Sequence, residues 1–101
     1  MSVKKQYSET KPLCKVTFKV SKNTVNSAKK VNLAGTFNDW NIKDLPMKQL
    51  KNGDFTVSVN LDKGKEYQFK YVIDGKTWIN DDKADSYTPN EFHTDNSVVV
   101  V

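Results

Sequence analysis

Apolar side chains recur at every second position in several short stretches of this chain, whereas helical periodicity is nearly absent. Alternation of this kind is typical of β-strands that rest one face on a core and expose the other to water. A continuous apolar run, SVVVV, follows at the end of the sequence and is a further strand candidate. The alternating residues that we expect to face inward are Val16, Phe18 and Val20; Val31, Leu33 and Phe37; Phe55, Val57, Val59 and Leu61; and Tyr67, Phe69, Tyr71 and Ile73.

Turn-forming segments rich in Asn, Asp, Gly and Lys separate these stretches, among them KNGD, DKGK and DGK. Short antiparallel strands at this spacing indicate an all-β, immunoglobulin-like sandwich of about seven strands. The chain has 101 residues, which is enough for one domain. We expect residues 1–12 to form a flexible tail and residues 13–101 to form the sandwich.

The composition argues against several classes of partner. All 16 basic residues are lysines, spread among 12 acidic residues, and the paired donors with which arginine grips phosphate and bases are missing. We therefore expect no nucleic-acid partner. No apolar run reaches transmembrane length and the first residues lack a signal-peptide core, so we expect no membrane partner and a cytoplasmic location. The single cysteine, Cys14, has the parity of the inward-facing Val16 and is expected to be buried.

Few residues of this sequence suit catalysis or metal binding. His93 is the only histidine and stands in a polar loop, and no Cys/His cluster could hold zinc. The densest carboxylate group, Asp81, Asp82 and Asp85, lacks the glycine and the distal glutamate of a calcium loop, and a solvated turn is the favoured interpretation. We expect neither an enzyme nor a bound cofactor or metal.

Two tryptophans stand next to turns, where either a core or a surface position is open to them. Trp40 ends the segment FNDW. For Trp78, the Asp-Gly signal favours a two-residue turn that pairs it with Tyr71 and directs it inward together with Lys76. A three-residue turn or a bulge instead pairs Trp78 with Val72 and places it on the outer face, with Lys76 in a left-handed conformation. The pattern alone leaves both registers open.

Several motifs taken together resemble carbohydrate-binding module family 48. They are VNLAGTFNDWN, LPM, the stretch NGDFTVSVNLDKGKEYQFKYVIDG, a following Trp and Asn-Asp pair, and an asparagine before the last strand. The resemblance covers residues 15–101. It is closest to the glycogen-binding domain of AMP-activated protein kinase β subunits, and more distant to the N-terminal domains of branching and debranching enzymes.

The resemblance implies an early-set immunoglobulin-like sandwich that binds α-1,4-glucans such as glycogen, starch and maltooligosaccharides. Trp40 and Trp78 match two tryptophans that stack on glucose rings, and Lys70 and Asn96 match residues that hydrogen-bond to sugar hydroxyls. Phe92 is the apolar residue nearest to a leucine that threads through the glucan in some members. The carbohydrate-binding residues expected on this basis are Trp40, Gln68, Lys70, Trp78, Phe92, Thr94 and Asn96.

The sequence departs from the kinase-type pattern at two places. Lys76 and Thr77 both stand between the Asp-Gly pair and Trp78, where the pattern has one residue, and Asp81-Asp82 replaces an aspartate–proline pair. An outward Trp78 therefore requires a longer or bulged turn, which the resemblance favours. The alternative function is a sandwich of the same fold that no longer binds sugar and docks on a glucan-metabolising enzyme or a kinase-type partner.

Overall fold

Two antiparallel β-sheets pack face to face in the computed structural model, which describes residues 2–25, 28–92 and 94–101. The first sheet has the spatial order β1-β2-β5-β4, with β1 Ser2–Tyr7, β2 Leu13–Val20, β5 Phe55–Asp62 and β4 Lys48–Gln49. The second has the order β3-β6-β9-β8, with β3 Val31–Gly35, β6 Glu66–Ile73, β9 Asp95–Val100 and β8 Ser86–Pro89; β7 Thr77–Ile79 also pairs with β6. The predicted sandwich is confirmed, with nine strands among the described residues instead of about seven.

Helical structure in the described residues is limited to the four-residue helix α1, Lys22–Val25, and a 3-10 turn at Thr36–Asn38. Neither is long and apolar enough to cross a membrane.

The core lies between the sheets and is built from the alternating positions expected from the sequence. Cys14, as expected, is buried, and its thiol is free. Phe18 packs edge-on against Phe69 across the sandwich, with ring centroids 4.9 Å apart. Because burying such a side chain contributes about 1.5–3 kcal/mol, these rings fix the sheet packing and hold the outer face of the second sheet in place. The most deeply buried apolar residues of the core are Cys14, Val16, Phe18, Val20, Leu33, Phe69 and Tyr71. Ala34 and Val72 are buried as well, but on the outer face of the second sheet, which they share with Lys70.

Residues 2–7 differ from the flexible tail expected there. They form the edge strand β1, which pairs with β2 from Ser2 opposite Lys19 to Tyr7 opposite Cys14. An ion pair of 2.6 Å joins Lys5 Nζ to Asp85 Oδ2 and ties the strand to the other sheet. The alternation was hard to see in the sequence because only Val3 gives this strand an aliphatic inward residue.

Asp81 corrects the expectation of a solvated turn, since it is fully buried. The hydroxyl of Tyr71 donates a hydrogen bond of 2.7 Å to Asp81 Oδ2, and the backbone N–H of Lys83 donates to Oδ1 at 2.8 Å. Asp81 N–H in turn donates to Ser97 Oγ at 2.9 Å. Burial, and then the adjacent carboxylate, raise the pKa of Tyr71 far above its usual range. The network links the segment after β7 to β9.

Candidate functional site

The β6–β7 hairpin sets the direction of Trp78. Val72 lies opposite Trp78, and Tyr71 lies opposite Ile79, which is the second of the two registers left open by the sequence. Trp78 therefore shares the outer face of the sheet with Lys70, and 42% of its surface is exposed. The hairpin thus presents a large aromatic ring to solvent.

Two consecutive residues in the left-handed backbone conformation at the hairpin tip make this register possible. Lys76 N–H donates to the carbonyl of Ile73 at 3.0 Å, which closes a turn whose central residues, Asp74 and Gly75, have φ of 51° and 70°. The expectation that Lys76 itself would be left-handed is wrong. Asp74 holds the conformation, because its Oδ1 accepts the backbone N–H of Lys30 at 2.9 Å. Lys76 follows the turn as the one extra residue.

Trp40 reaches the same face through a strained loop. Asp39 and Trp40 are both left-handed, with φ of 54° and 59°, a conformation that costs a non-glycine residue of order 1 kcal/mol or more. Trp40 N–H donates to the carbonyl of Gly35 at 2.9 Å. The side chain of Asn38 holds the loop, since its Oδ1 accepts the N–H of Gly35 and its Nδ2 donates to the carbonyl of Leu33.

The two indole rings form a tilted pair, with centroids 6.4 Å apart and planes at 48°. Around them the outer face of the second sheet forms a concave surface with a volume of about 750 Å³. We call this the aromatic surface. Its lining residues are Trp40, Gln68, Lys70, Trp78, Asn90, Glu91, Phe92, Thr94 and Asn96. Every carbohydrate-binding residue expected from the resemblance is among them.

Polar side chains form the floor of the aromatic surface. Lys70 Nζ donates to Thr94 Oγ1 at 3.4 Å. Asn96 is only 8% exposed, and both ends of its amide are bonded: Nδ2 donates to Gln68 Oε1 at 2.9 Å, and Oδ1 accepts Asn90 Nδ2 at 2.9 Å. Asn96 is thus more enclosed than a freely accessible polar anchor would be.

Phe92 stands at the rim, at the tip of the loop between β8 and β9. Its side chain is 75% exposed, the most of any large apolar residue in the described part of the chain. Phe92 lines the same surface as Trp40 and Trp78, and a contiguous exposed apolar patch of this kind marks a candidate binding surface, whereas a single exposed ring would not. The neighbouring His93, expected to be an exposed loop residue, lies outside the described residues.

Asn90 and Glu91 are the two lining residues of this surface that were not predicted from the sequence, and Asn90 is the more deeply engaged of them. It stands in TPNEF, where an asparagine after proline is a turn signal, but nothing local shows that its side chain reaches the last strand. Glu91 lines the surface as well. Across residues 2–25, 28–92 and 94–101, no three His, Cys, Asp or Glu side chains are grouped so that they could hold a metal ion.

The fold and this surface define a small β-sandwich module with an exposed, aromatic-lined concave face. Residues 18–101 match the family model for the glycogen recognition site of AMP-activated protein kinase, and the chain belongs to this family. The family consists of carbohydrate-binding modules, which bind glycogen-type glucans and are not catalytic. A comparison with curated proteins gives no match.

Proposed function

We propose that this chain is a non-catalytic α-1,4-glucan-binding module and that the aromatic surface is its binding site. The observation that carries the proposal is the convergence of the expected residues on one concave face. They come from the Trp40 loop, from β6, from β7 and from the segment that leads into β9. We propose that Trp40 and Trp78 stack on glucose rings, and that Lys70, Gln68 and Thr94 hydrogen-bond to sugar oxygens.

The tilt between the tryptophan rings supports a curved ligand. Each pyranose presents a flat patch of C–H groups that an indole can cover. Aromatic pairs gain roughly 0.5–1.5 kcal/mol beyond area burial, and we take this range for the stacking of an indole on a sugar. Successive glucose units of an α-1,4-glucan turn relative to one another, whereas those of a β-1,4-glucan form a flat ribbon. Two rings at 48° suit the turning chain better than the ribbon.

The expected affinity is modest. Two stacked rings and a few hydrogen bonds give about 4–7 kcal/mol after the entropy of association, which corresponds to a Kd of roughly 10 μM to 1 mM. A branched polymer offers many equivalent chain segments, so the apparent affinity for glycogen would be higher through avidity. In this role the module would bring a glucan-metabolising enzyme to its polymer. On compositional grounds we also propose a cytoplasmic location and no nucleic-acid or membrane partner.

Glycogen affinity electrophoresis and calorimetry with maltoheptaose test the proposal. We expect glycogen to retard the wild-type protein in a native gel, and Trp40→Ala to abolish the retardation. Tyr7→Ala is the control, since Tyr7 is an aromatic residue about half exposed to solvent that lies on β1 in the other sheet. A wild-type protein that migrates unchanged with glycogen and gives no heat with maltoheptaose would contradict the proposal. That outcome would favour the protein-docking alternative.

A further inference from the structure

Asn90 uses every hydrogen-bonding position of its side-chain amide. Its Oδ1 accepts the backbone N–H groups of Phe92 at 2.9 Å and Thr94 at 3.2 Å. Its Nδ2 donates to Thr94 Oγ1 at 2.8 Å and to Asn96 Oδ1 at 2.9 Å. An amide oxygen has two lone pairs and an amide nitrogen two hydrogens, so no capacity of this side chain remains for a ligand.

The orientation of this amide follows from the backbone. A backbone N–H can only donate, so the side that faces Phe92 and Thr94 must be the oxygen of Asn90, and Nδ2 must face Asn96. The Asn96 amide then has to turn its Oδ1 toward Asn90 and its Nδ2 toward Gln68. The same logic makes Gln68 accept through Oε1, at 2.9 Å from Asn96 Nδ2. One backbone turn thereby fixes three side-chain amides in series.

The series ends with hydrogen-bond donors on the aromatic surface. Gln68 Nε2 is the end of its amide that is not used toward Asn96, and it meets no acceptor within the described residues. Thr94 Oγ1 accepts from both Asn90 and Lys70, so its own hydrogen is left to donate. Lys70 is a donor only. The polar floor thus turns the N–H and O–H groups of Gln68, Lys70 and Thr94 toward the ligand, while the amide oxygens of Gln68 and Asn96 are engaged by the neighbouring amides. The carboxylate of Glu91, which also lines the surface, is an acceptor and lies outside this series.

We propose that Asn90 is a positioning residue that fixes Gln68 and Thr94, on the polar floor of the aromatic surface, as hydrogen-bond donors, so that this floor recognises the lone pairs of the ligand's oxygen atoms. The inference rests on the proposed glucan-binding function and adds the direction of the hydrogen bonds. Sugar hydroxyls can donate or accept, and here they act as acceptors. Asn90 reaches the ligand only through Gln68 and Thr94.

Asn90→Asp tests this role with little change of shape. The carboxylate still accepts the N–H groups of Phe92 and Thr94, so the loop keeps its turn. It cannot donate, so the Asn96 and Gln68 amides reverse, and the Thr94 hydroxyl turns to donate to position 90. We expect about a tenfold weaker binding of maltoheptaose by calorimetry, because two ligand donors are lost and each hydrogen bond contributes a few-fold in affinity.

Side-chain amide exchange, followed by NMR in the absence of sugar, gives a second and independent measurement. In the wild-type protein we expect fast exchange for the Gln68 side-chain amide and slow exchange for those of Asn90 and Asn96. In Asn90→Asp the Gln68 amide turns inward against Asn96 Oδ1 and its exchange slows. Unchanged backbone exchange at Phe92 and Thr94 would show that the loop has kept its fold, whereas Asn90→Ala should lose that protection as well.

A Gln68→Met background separates the direction of hydrogen bonding from the added charge. The thioether side chain of this variant has no donor to reverse, so the tenfold loss caused by Asn90→Asp should shrink to about threefold there, through Thr94 alone. An equal loss in both backgrounds, or a Gln68 amide that still exchanges fast in Asn90→Asp, would overturn the inference. If the wild-type protein does not bind maltoheptaose, the proposed function fails, and amide exchange still decides the role of Asn90.

Discussion

Val72 lies directly opposite Trp78 in the β6–β7 hairpin, and this single pairing puts the indole on the same face as Lys70. A shift of one residue would pair Trp78 with Tyr71 and turn the ring into the core. Lys76 is the one residue by which this connection is longer than a two-residue hairpin turn, and it lies between the turn and Thr77. It follows a turn in which Asp74 and Gly75 are already left-handed, the geometry that a two-residue hairpin turn also uses.

Deletion of Lys76 should therefore leave Trp78 where it is. The Asp74-Gly75 turn would then join Ile73 directly to Thr77, and Val72 would still lie opposite Trp78. We expect maltoheptaose affinity within about threefold of wild type, since no contact of the aromatic surface is removed. Titration calorimetry with maltoheptaose measures the affinity of this variant.

Deletion of both Lys76 and Thr77 is the contrasting variant. It pairs Ile73 with Trp78 and directs the indole inward, so we expect no detectable binding and a blue-shifted tryptophan emission. Loss of binding in the single deletion would show that Lys76 does more than set the register.

The sequence predicted the sandwich and seven of the nine residues that line the aromatic surface, because alternation and the family motifs are local signals. The direction of the Trp78 side chain stayed open, since two turn geometries fit the same sequence and only the pairing with β6 decides between them. Asp81 was misjudged for a related reason: its partners Tyr71 and Ser97 are distant in sequence, and the polar run NDDK looks like a solvated turn. Asn90 was missed because its bond to Asn96 exists only once β8 and β9 pair.

Removal of the Tyr71 hydroxyl should destabilise the protein. Tyr71→Phe leaves the buried Asp81 carboxylate without one of its donors, and an unsatisfied buried group of this kind costs about 1–3 kcal/mol. Urea denaturation gives the change in the free energy of unfolding.

Tyr67→Phe serves as the control. The Tyr67 hydroxyl donates at 3.1 Å to the carbonyl of the exposed Asp62, where water can replace it, so we expect a loss below about 0.5 kcal/mol. Equal losses in the two variants would contradict a special role for the Tyr71–Asp81 bond.

The stability of the fold should depend on the ionisation of Asp85. Partial burial acts to raise its pKa, but hydrogen bonds from Lys5 and from the N–H of Val100 outweigh this and hold the pKa below its usual value. A lowered folded-state pKa contributes stability above the unfolded value of about 3.9, and the contribution fades as pH falls through the folded value. The stability difference between wild type and Asp85→Asn should thus be constant near pH 6–7 and shrink below about pH 4. A difference that grows on acidification would contradict the assignment.

Phe92 should affect binding and leave stability unchanged. Its ring is 75% exposed, so truncation removes little buried area, and we expect Phe92→Ala to change the free energy of unfolding by less than about 0.5 kcal/mol. At the rim of the aromatic surface the same ring can close over a bound glucan, and its loss should weaken maltoheptaose binding by roughly threefold to tenfold. Phe92→Leu keeps an apolar group at the tip and should recover most of the affinity. Val100→Ala, at another exposed apolar residue outside the surface, should leave binding unchanged. If Phe92→Ala binds as tightly as wild type, the loop tip takes no part in glucan recognition, and the site reduces to the tryptophan pair and its polar floor.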